Sequence, residues 1–455
     1  MRTIAIIGGG FSGTATAVQL MRLSHEPLRI VLINRCADMA RGIAYGTNSA
    51  LHQLNVPAGN MSALADDPLD FLRYCQRRLP QTQPGDFVSR RTYGDYLDDL
   101  LATTQQARAS VCLERIREEV VALQPDSGRV TLTLGSGRQL VADHVVLAFG
   151  HFAPLDPTAV QGLQLPFYQR DPWAADGLKV HDPHASILLI GSGLTAMDVA
   201  LSLRQQGHRG RLYLVSRRGL RPQPHRGGGR SGYDCAALLG RLVQARPSVG
   251  WYVHEIRAQV RAAQGEGYDW RDVLGALRPH TVALWQRLPV TERRRFLRHV
   301  QPYWDVHRHR VAPRAYDAFQ ELIGQGVVVS LAARIQQLEV SGDQIEVQLR
   351  PRFEQQSCVI KVAQIINCTG PNSDLRRVHD PLIRQLCQSG WLDLDMLGTG
   401  LHVDAHMSVR DQHGQSLDWL SYVGPMLKAD FWEATAVPEL RQHAFNLAGR
   451  LISQP

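Results

Sequence analysis

The chain has 455 residues, 44% of them apolar and 20% charged, with a formal net charge of +8. This length exceeds what one compact core sustains and calls for two or three domains of an ordinary soluble protein. No apolar run approaches the ~18 residues of a bilayer span, and the first strand begins too early for a secretory leader, so a cytoplasmic location is expected.

The seven cysteines, Cys36, Cys75, Cys112, Cys235, Cys358, Cys368 and Cys387, are scattered without a Cys-x-x-Cys. This spacing argues against a disulfide framework, a zinc site and a dithiol relay of the kind disulfide reductases use. The positive charge is local. No acidic residue lies between Asp198 and Asp234, whereas Arg204, Arg209, Arg211, Arg217, Arg218, Arg221, Arg226 and Arg230 all do. Without aromatic interleaving or a reader motif, this block does not indicate nucleic acid.

In chain order, residues 3–7 read as a buried strand that runs into Gly8, Gly10 and Gly13, with Phe11 and Ser12 between them. A helix over 14–23 and a strand over 29–33 complete a βαβ unit. Such a turn uses glycine for the bend, glycine for approach to a pyrophosphate, and a small residue where helix meets strand. The helix start then offers N–H groups and a positive dipole end to phosphate. A long irregular stretch to about 110 follows, then a hairpin at 130–141 and a strand at 145–148.

Proline and aspartate crowd 154–183, which marks the crossing into a second domain. There a strand at 187–190 runs into Gly191, Gly193 and Ala196, repeating the first turn. A strand at 212–215, a helical region over 235–325, strands near 344–349 and 358–362, and a strand at 365–368 follow. The expected fold is α/β, with two Rossmann-like dinucleotide-binding domains, the second inserted in the first. Residues 1–155 with 360–455 would bind FAD, and 156–359 would bind NADPH or NADH.

The residue ending the second strand of each unit distinguishes the nucleotides. In the first unit this is Asn34, followed by Arg35; an amide there can accept from one ribose hydroxyl. In the second it is Ser216, followed by Arg217 and Arg218, whose forked donors favour a 2′-phosphate. The histidines His299, His307 and His309 are interleaved with Arg298, Arg308 and Arg310, which argues against a metal. Arg308 and Arg310 are the candidates for anchoring an anionic or polar substrate. No general base is identifiable, and hydrolase and Walker-type motifs are absent.

Further blocks carry a resemblance: Arg41-Gly42-Ile43-Ala44-Tyr45-Gly46-Thr47, His52–Ala58 with Met61-Ser62, and Asp66-Asp67-Pro68. Phe296–His299, Tyr303–Arg310, Gly424-Pro425 and Phe431–Arg441 continue it. Together they resemble bacterial FAD/NAD(P)-binding proteins of the flavin-dependent urate hydroxylase and aspartate N-monooxygenase-like group, nearly end to end. The resemblance implies that Asn55–Met61 and Trp432–Arg441 wall a flavin, with a helix starting near Pro438 facing its pyrimidine edge. Lys428-Ala429-Asp430 departs from the small glycine-bearing turn expected before Trp432. The implied reaction is NAD(P)H- and O₂-dependent hydroxylation of a small polar or anionic substrate, with urate to 5-hydroxyisourate first. N-hydroxylation of an amine or amino acid such as aspartate is the alternative. A non-oxygenating reductase or redox sensor would share every cofactor motif.

Overall fold

The computed structural model describes all residues except 37, 38, 48, 109, 164, 166, 175–177, 227–231 and 455. Arg230, one of the basic block, therefore lies outside the described residues.

Two sheets organise the chain, each built around one glycine turn. The first is ordered Ser408–Arg410, Ser416–Tyr422, His144–Leu147, Arg2–Ile7, Leu28–Ile33, Val111–Ile116. All its neighbours are parallel except the Ser408–Arg410 edge. Strands buried on both faces read as unbroken apolar runs, and Ile4, Ile6, Ile30, Leu32, Val145 and Val146 are all fully buried. The helix Phe11–Leu23 begins at the turn itself, three residues before its sequence-based start. A separate antiparallel meander, Val120–Asp126, Arg129–Leu134 and Gln139–Ala142, crosses back to the sheet.

The second sheet repeats this plan. Tyr168–Gln169, Gln364–Asn367, Ile187–Ile190, Leu212–Ser216 and the start of Val328–Ser341 run parallel. The 14-residue strand Val328–Ser341 then continues into its own meander with Gln344–Pro351 and Cys358–Val362. That strand was not read from sequence, because its outer half is exposed and its alternation is weak. The domain boundary also moves. Gln364–Asn367, expected in the first domain from residue 360 onward, is hydrogen-bonded between Ile187–Ile190 and Tyr168–Gln169 in the second sheet. The return crossing comes after it, at the Phe152–Asn372 bridge.

The helical region divides in two. Helices from Ala236–Gln244 to Gln301–Arg308 form an insert with a core of Leu238, Leu242, Val273, Leu277, Leu284 and Trp285. Helix Pro313–Gly324, by contrast, packs Phe319 and Leu322 into the second domain's core. The insert leaves and returns through a two-stranded neck, where Gln223 and His225 exchange backbone hydrogen bonds with Val306 and Val311. It docks on the first domain chiefly around Trp285 and Arg278. Trp285 donates to the Ala429 carbonyl (2.9 Å), Arg278 pairs bidentately with Glu439 (2.8 Å each), and Trp285 packs on Trp432 with centroids 4.4 Å apart.

Candidate functional site

The two glycine turns are built alike. Gly8 has φ +113°, donates to the Ile33 carbonyl (2.8 Å), and a Cβ there would stand 2.5 Å from the Ala148 oxygen. Gly191 has φ +121°, donates to the Val215 carbonyl (2.8 Å), and its Cβ would stand 2.4 Å from the Cys368 oxygen. Each therefore needs glycine both for its backbone conformation and for closeness to the neighbouring strand. Gly13 is excluded from carrying a side chain because a Cβ would reach 1.9 Å from the Gly8 oxygen, whereas its counterpart Ala196 fits fully buried.

The two helix starts differ from these bends. Gly10 and Gly193 are N-caps without a side-chain hydrogen bond, so the first-turn N–H groups have no capping partner. A Cβ on Gly10 would meet only the Gly42 Cα at 3.7 Å, and one on Gly193 would meet nothing within 4 Å. The protein itself does not require glycine there. Glycine without a packing reason at an uncapped helix start is the arrangement a pyrophosphate-binding turn uses. A further polar group beside the first turn lacks a partner. The Tyr93 hydroxyl is fully buried and unpaired, on a ring packed against Phe11 and Tyr45.

Asn34 stands at the end of its strand as expected, but its side chain is engaged in the turn. Its Oδ1 accepts from the Gly9 N–H (3.2 Å) and its Nδ2 donates to the Cys36 carbonyl (3.0 Å). Arg35 is paired with Glu119 and Asp380. At the equivalent place in the second unit, the Ser192 hydroxyl donates to the Leu220 carbonyl (2.5 Å) and lies 2.7 Å from the Ser216 hydroxyl, from which it accepts, shaping the loop that carries the arginines. Arg217 is exposed there, while Arg218 donates to the Arg298 carbonyl of the insert (2.9 Å) and lies over Tyr303.

Charged groups from the end of the first sheet, the 425–433 segment and the insert's return gather at one junction. His309 retains 39% side-chain exposure, yet burial, with Arg308, Lys428 and Arg278 nearby, lowers its pKa to about 3. His151 is lowered to about 4 by burial and Lys428. Lys428 stands over the Trp432 ring at 4.2 Å, with its pKa lowered by burial against the opposing charges of Asp305 and Glu433. Burial likewise raises Asp305. The departure at Lys428-Ala429-Asp430 is thus a packed turn, with Met426, Leu427 and Ala429 buried and Lys428 set over Trp432 near Asp305 and Glu433. Sequence reasoning left both Lys428 and His151 without a role, since nothing local marks residues that only tertiary packing brings together.

The two candidate substrate arginines differ. Arg308 pairs with the buried Glu433 at 2.7 Å and so links the insert to the first domain. Arg310 has no carboxylate within salt-bridge distance among the described residues. Burial, together with Arg308 and Arg271, brings its pKa down to about 10, and its Nε is buried without a hydrogen bond. It sits on the neck near Trp270, beside His225, which bonds the Asn55 carbonyl (2.9 Å). Asn55 therefore lies at the junction of both domains and the insert. Met61 is buried near Arg441, which donates to the Ser62 carbonyl.

Trp432 packs into the insert's core against Trp285 and Phe296, so its ring serves the docking of the insert. Pro438 opens the helix Val437–Ser453 as expected. The three histidines do not converge: His307 packs on Trp270, His299 is exposed, and His309 faces Lys428. No metal-binding group of three or more His, Cys, Asp or Glu side chains occurs among the described residues.

A hollow of about 300 Å³ opens elsewhere, at the second crossing, lined by Leu155, Thr369, Gly370, Asn372 and Asp374. It follows the strand next to Gly191, and neither Lys428, Asp305 nor His309 lines it.

Residues 5–152 match the family model described as FAD-NAD(P)-binding, which spans the first turn and its sheet. No curated protein matches the sequence. Over nearly their whole lengths, several solved structures share the fold. The ornithine N-hydroxylase of Kutzneria sp. 744 is 14% identical, with a TM-score of 0.67 and 99% of each chain covered. The L-lysine 6-monooxygenase of Pseudomonas syringae is 18% identical, with a TM-score of 0.65 and 99% of each chain covered. The bacillithiol disulfide reductase of Staphylococcus aureus is 14% identical, with a TM-score of 0.57, 100% of this chain and 99% of that one covered. The chain is thus an α/β protein of the two-dinucleotide flavoprotein fold. No helix among the described residues is long and apolar enough to cross a membrane.

Proposed function

We propose that the chain is an FAD-dependent monooxygenase that takes hydride from NADPH or NADH and uses O₂ to hydroxylate the nitrogen of a small amine or amino acid. The observation that carries this reading is the pair of equivalent turns, each with an uncapped helix start at a glycine that no neighbouring protein atom requires. FAD would lie on Gly8–Gly13 and the nicotinamide nucleotide on Gly191–Ala196, with Arg217 and Arg218 toward a 2′-phosphate. Bound flavin would supply the electron transfer and oxygen activation; the protein would supply position and a dry pocket.

The substrate guess shifts from urate to the amine alternative. N-hydroxylating enzymes recur among the full-length structural relatives, and the junction sets Lys428 near the Asp305 carboxylate, with Arg310 on the neck. Lys428 and Arg310 would meet a carboxylate and Asp305 an amine. A disulfide reductase is disfavoured because all seven cysteines are free, with Cys75, Cys235 and Cys368 buried. The deciding experiment is NAD(P)H consumption by flavin-loaded protein, screened with aspartate, ornithine, lysine, diamines and urate under ¹⁸O₂. A labelled hydroxylamine with low peroxide yield is expected. Peroxide equal to the nicotinamide oxidised with every compound would leave the reductase in its place.

A further inference from the structure

The helix that starts at the second glycine turn is fastened to the first domain along one face. Leu194–Gln205 carries Asp198, Ser202 and Gln205 at i, i+4 and i+7, positions that share a helix face. Asp198 pairs with Arg90 at 2.8 Å, with side-chain exposures of only 12% and 21%. Ser202 Oγ lies 2.7 Å from His52 Nε2 in a buried contact, and the Gln205 side chain accepts from the Ser49 hydroxyl at 2.9 Å. The opposing first-domain segment is itself held. His52 Nδ1 lies 2.7 Å from the Thr47 hydroxyl, the His52 ring packs edge-on to Trp173, and Arg90 Nε donates to the Gln53 carbonyl. Nearby, Phe87 of the first domain packs against the second domain's core.

This seam is more polar than cohesion requires. A buried ion pair is a poor source of stability but a good source of geometric definition. It joins two particular elements: the helix whose start faces one nucleotide, and the segment 49–53 that runs directly into Asn55. We infer that Asp198, Ser202 and Arg90 are positioning residues that set the separation and angle of the two nucleotide sites for hydride transfer. The inference rests on the proposed flavin–nicotinamide reading. Hydride transfer is steep in donor–acceptor distance, so a slip at the seam lowers the rate in the formed complex and leaves each nucleotide's own contacts in place.

The test is anaerobic stopped-flow reduction of FAD-loaded protein by saturating NADPH, and separately NADH, with dithionite as a chemical reductant. For Asp198→Asn and for Ser202→Ala we expect the limiting reduction rate to fall tenfold or more. Flavin content, the apparent Kd for NADPH and the dithionite rate should stay within about twofold of wild type. Should Asp198→Asn fail to fold, Ser202→Ala combined with Gln205→Ala carries the same expectation while leaving the ion pair intact. An unchanged limiting rate, or a loss confined to Kd, would overturn the inference while leaving the functional reading intact. Wild-type flavin that neither nicotinamide reduces would overturn the functional reading, and the seam's role with it.

Discussion

Alanine at Gly193 should separate what the fold needs from what the ligand needs. Gly193 has φ −82°, which any residue adopts, and an added Cβ finds no protein atom within 4 Å. Gly→Ala at a compatible position raises stability by roughly 0.4–1 kcal/mol through the unfolded chain, so Gly193→Ala should melt no lower than wild type. The same methyl stands where a pyrophosphate would approach the first-turn N–H groups. Losing one charge-assisted hydrogen bond there costs about 1.5–3 kcal/mol, or one to two decades in affinity. The expected result is a normal flavin spectrum, an unchanged or raised Tm, and a ten- to hundredfold higher Kd for NADPH by fluorescence titration. Gly10→Ala should show the mirror image, with its Cβ 3.7 Å from Gly42 Cα, intact fold and lost FAD. Gly13→Ala is the control: its Cβ would stand 1.9 Å from the Gly8 oxygen, so it should lose stability before any ligand is added. Undiminished NADPH binding by folded Gly193→Ala would refute the assignment of the second turn.

Removing both Arg217 and Arg218 should raise KM for NADPH by one to two decades and that for NADH far less, since only the former has a phosphate to lose; equal effects would mark the loop as a solvated surface. Arg308→Met should destabilise the protein by several kcal/mol, because it leaves Glu433 buried without its partner, and chemical denaturation reads this directly. Arg310→Met should instead leave stability level or raised, as an unpaired buried cation is removed, while KM for a carboxylate-bearing substrate rises; a stability loss like that of Arg308→Met would show that the two arginines share one structural role. His402, hydrogen-bonded to both oxygens of Asp430, has its pKa raised chiefly by that bond. A raised folded-state value means stabilisation present in full below the unfolded pKa of about 6.5 and lost as pH rises through the folded one. Asp430→Asn should accordingly lower Tm more at pH 6 than at pH 9.

The two glycine turns were legible because bond geometry dictates them: only glycine provides the φ and the clearance that Gly8 and Gly191 show. The central parallel strands Arg2–Ile7, Leu28–Ile33, His144–Leu147, Ile187–Ile190 and Leu212–Ser216 were equally plain, as double burial leaves unbroken apolar runs, whereas the flanking Val111–Ile116, Tyr168–Gln169, Val328–Ser341 and Ser416–Tyr422 were not read. What local pattern could not show was partnership. Gln364–Asn367 is an apolar run leading to Thr369-Gly370 much as the first-domain strand leads to Phe149-Gly150, and only register assigns it to the second sheet. The insert also hid behind helical periodicity shared with Pro313–Gly324, which packs elsewhere.

The candidate site was harder still, since its residues arrive from far apart in sequence. A charged side chain carries no mark in sequence of whether it will be neutralised. Arg308 and Arg310 are two residues apart on the insert's return, yet Glu433 reaches one and not the other. Trp432 illustrates the same limit from the apolar side, its ring being claimed by Trp285 and Phe296. Its neighbour Lys428, which broke the expected pattern, is carried over that ring by the same packing. Fixing the insert through Trp432, Arg278 and Arg308 brings Asp305 and His309 of the insert near Lys428 of the first domain. The apolar clamp and the charged junction are therefore one construction, and the junction's charge pattern depends on the insert staying docked.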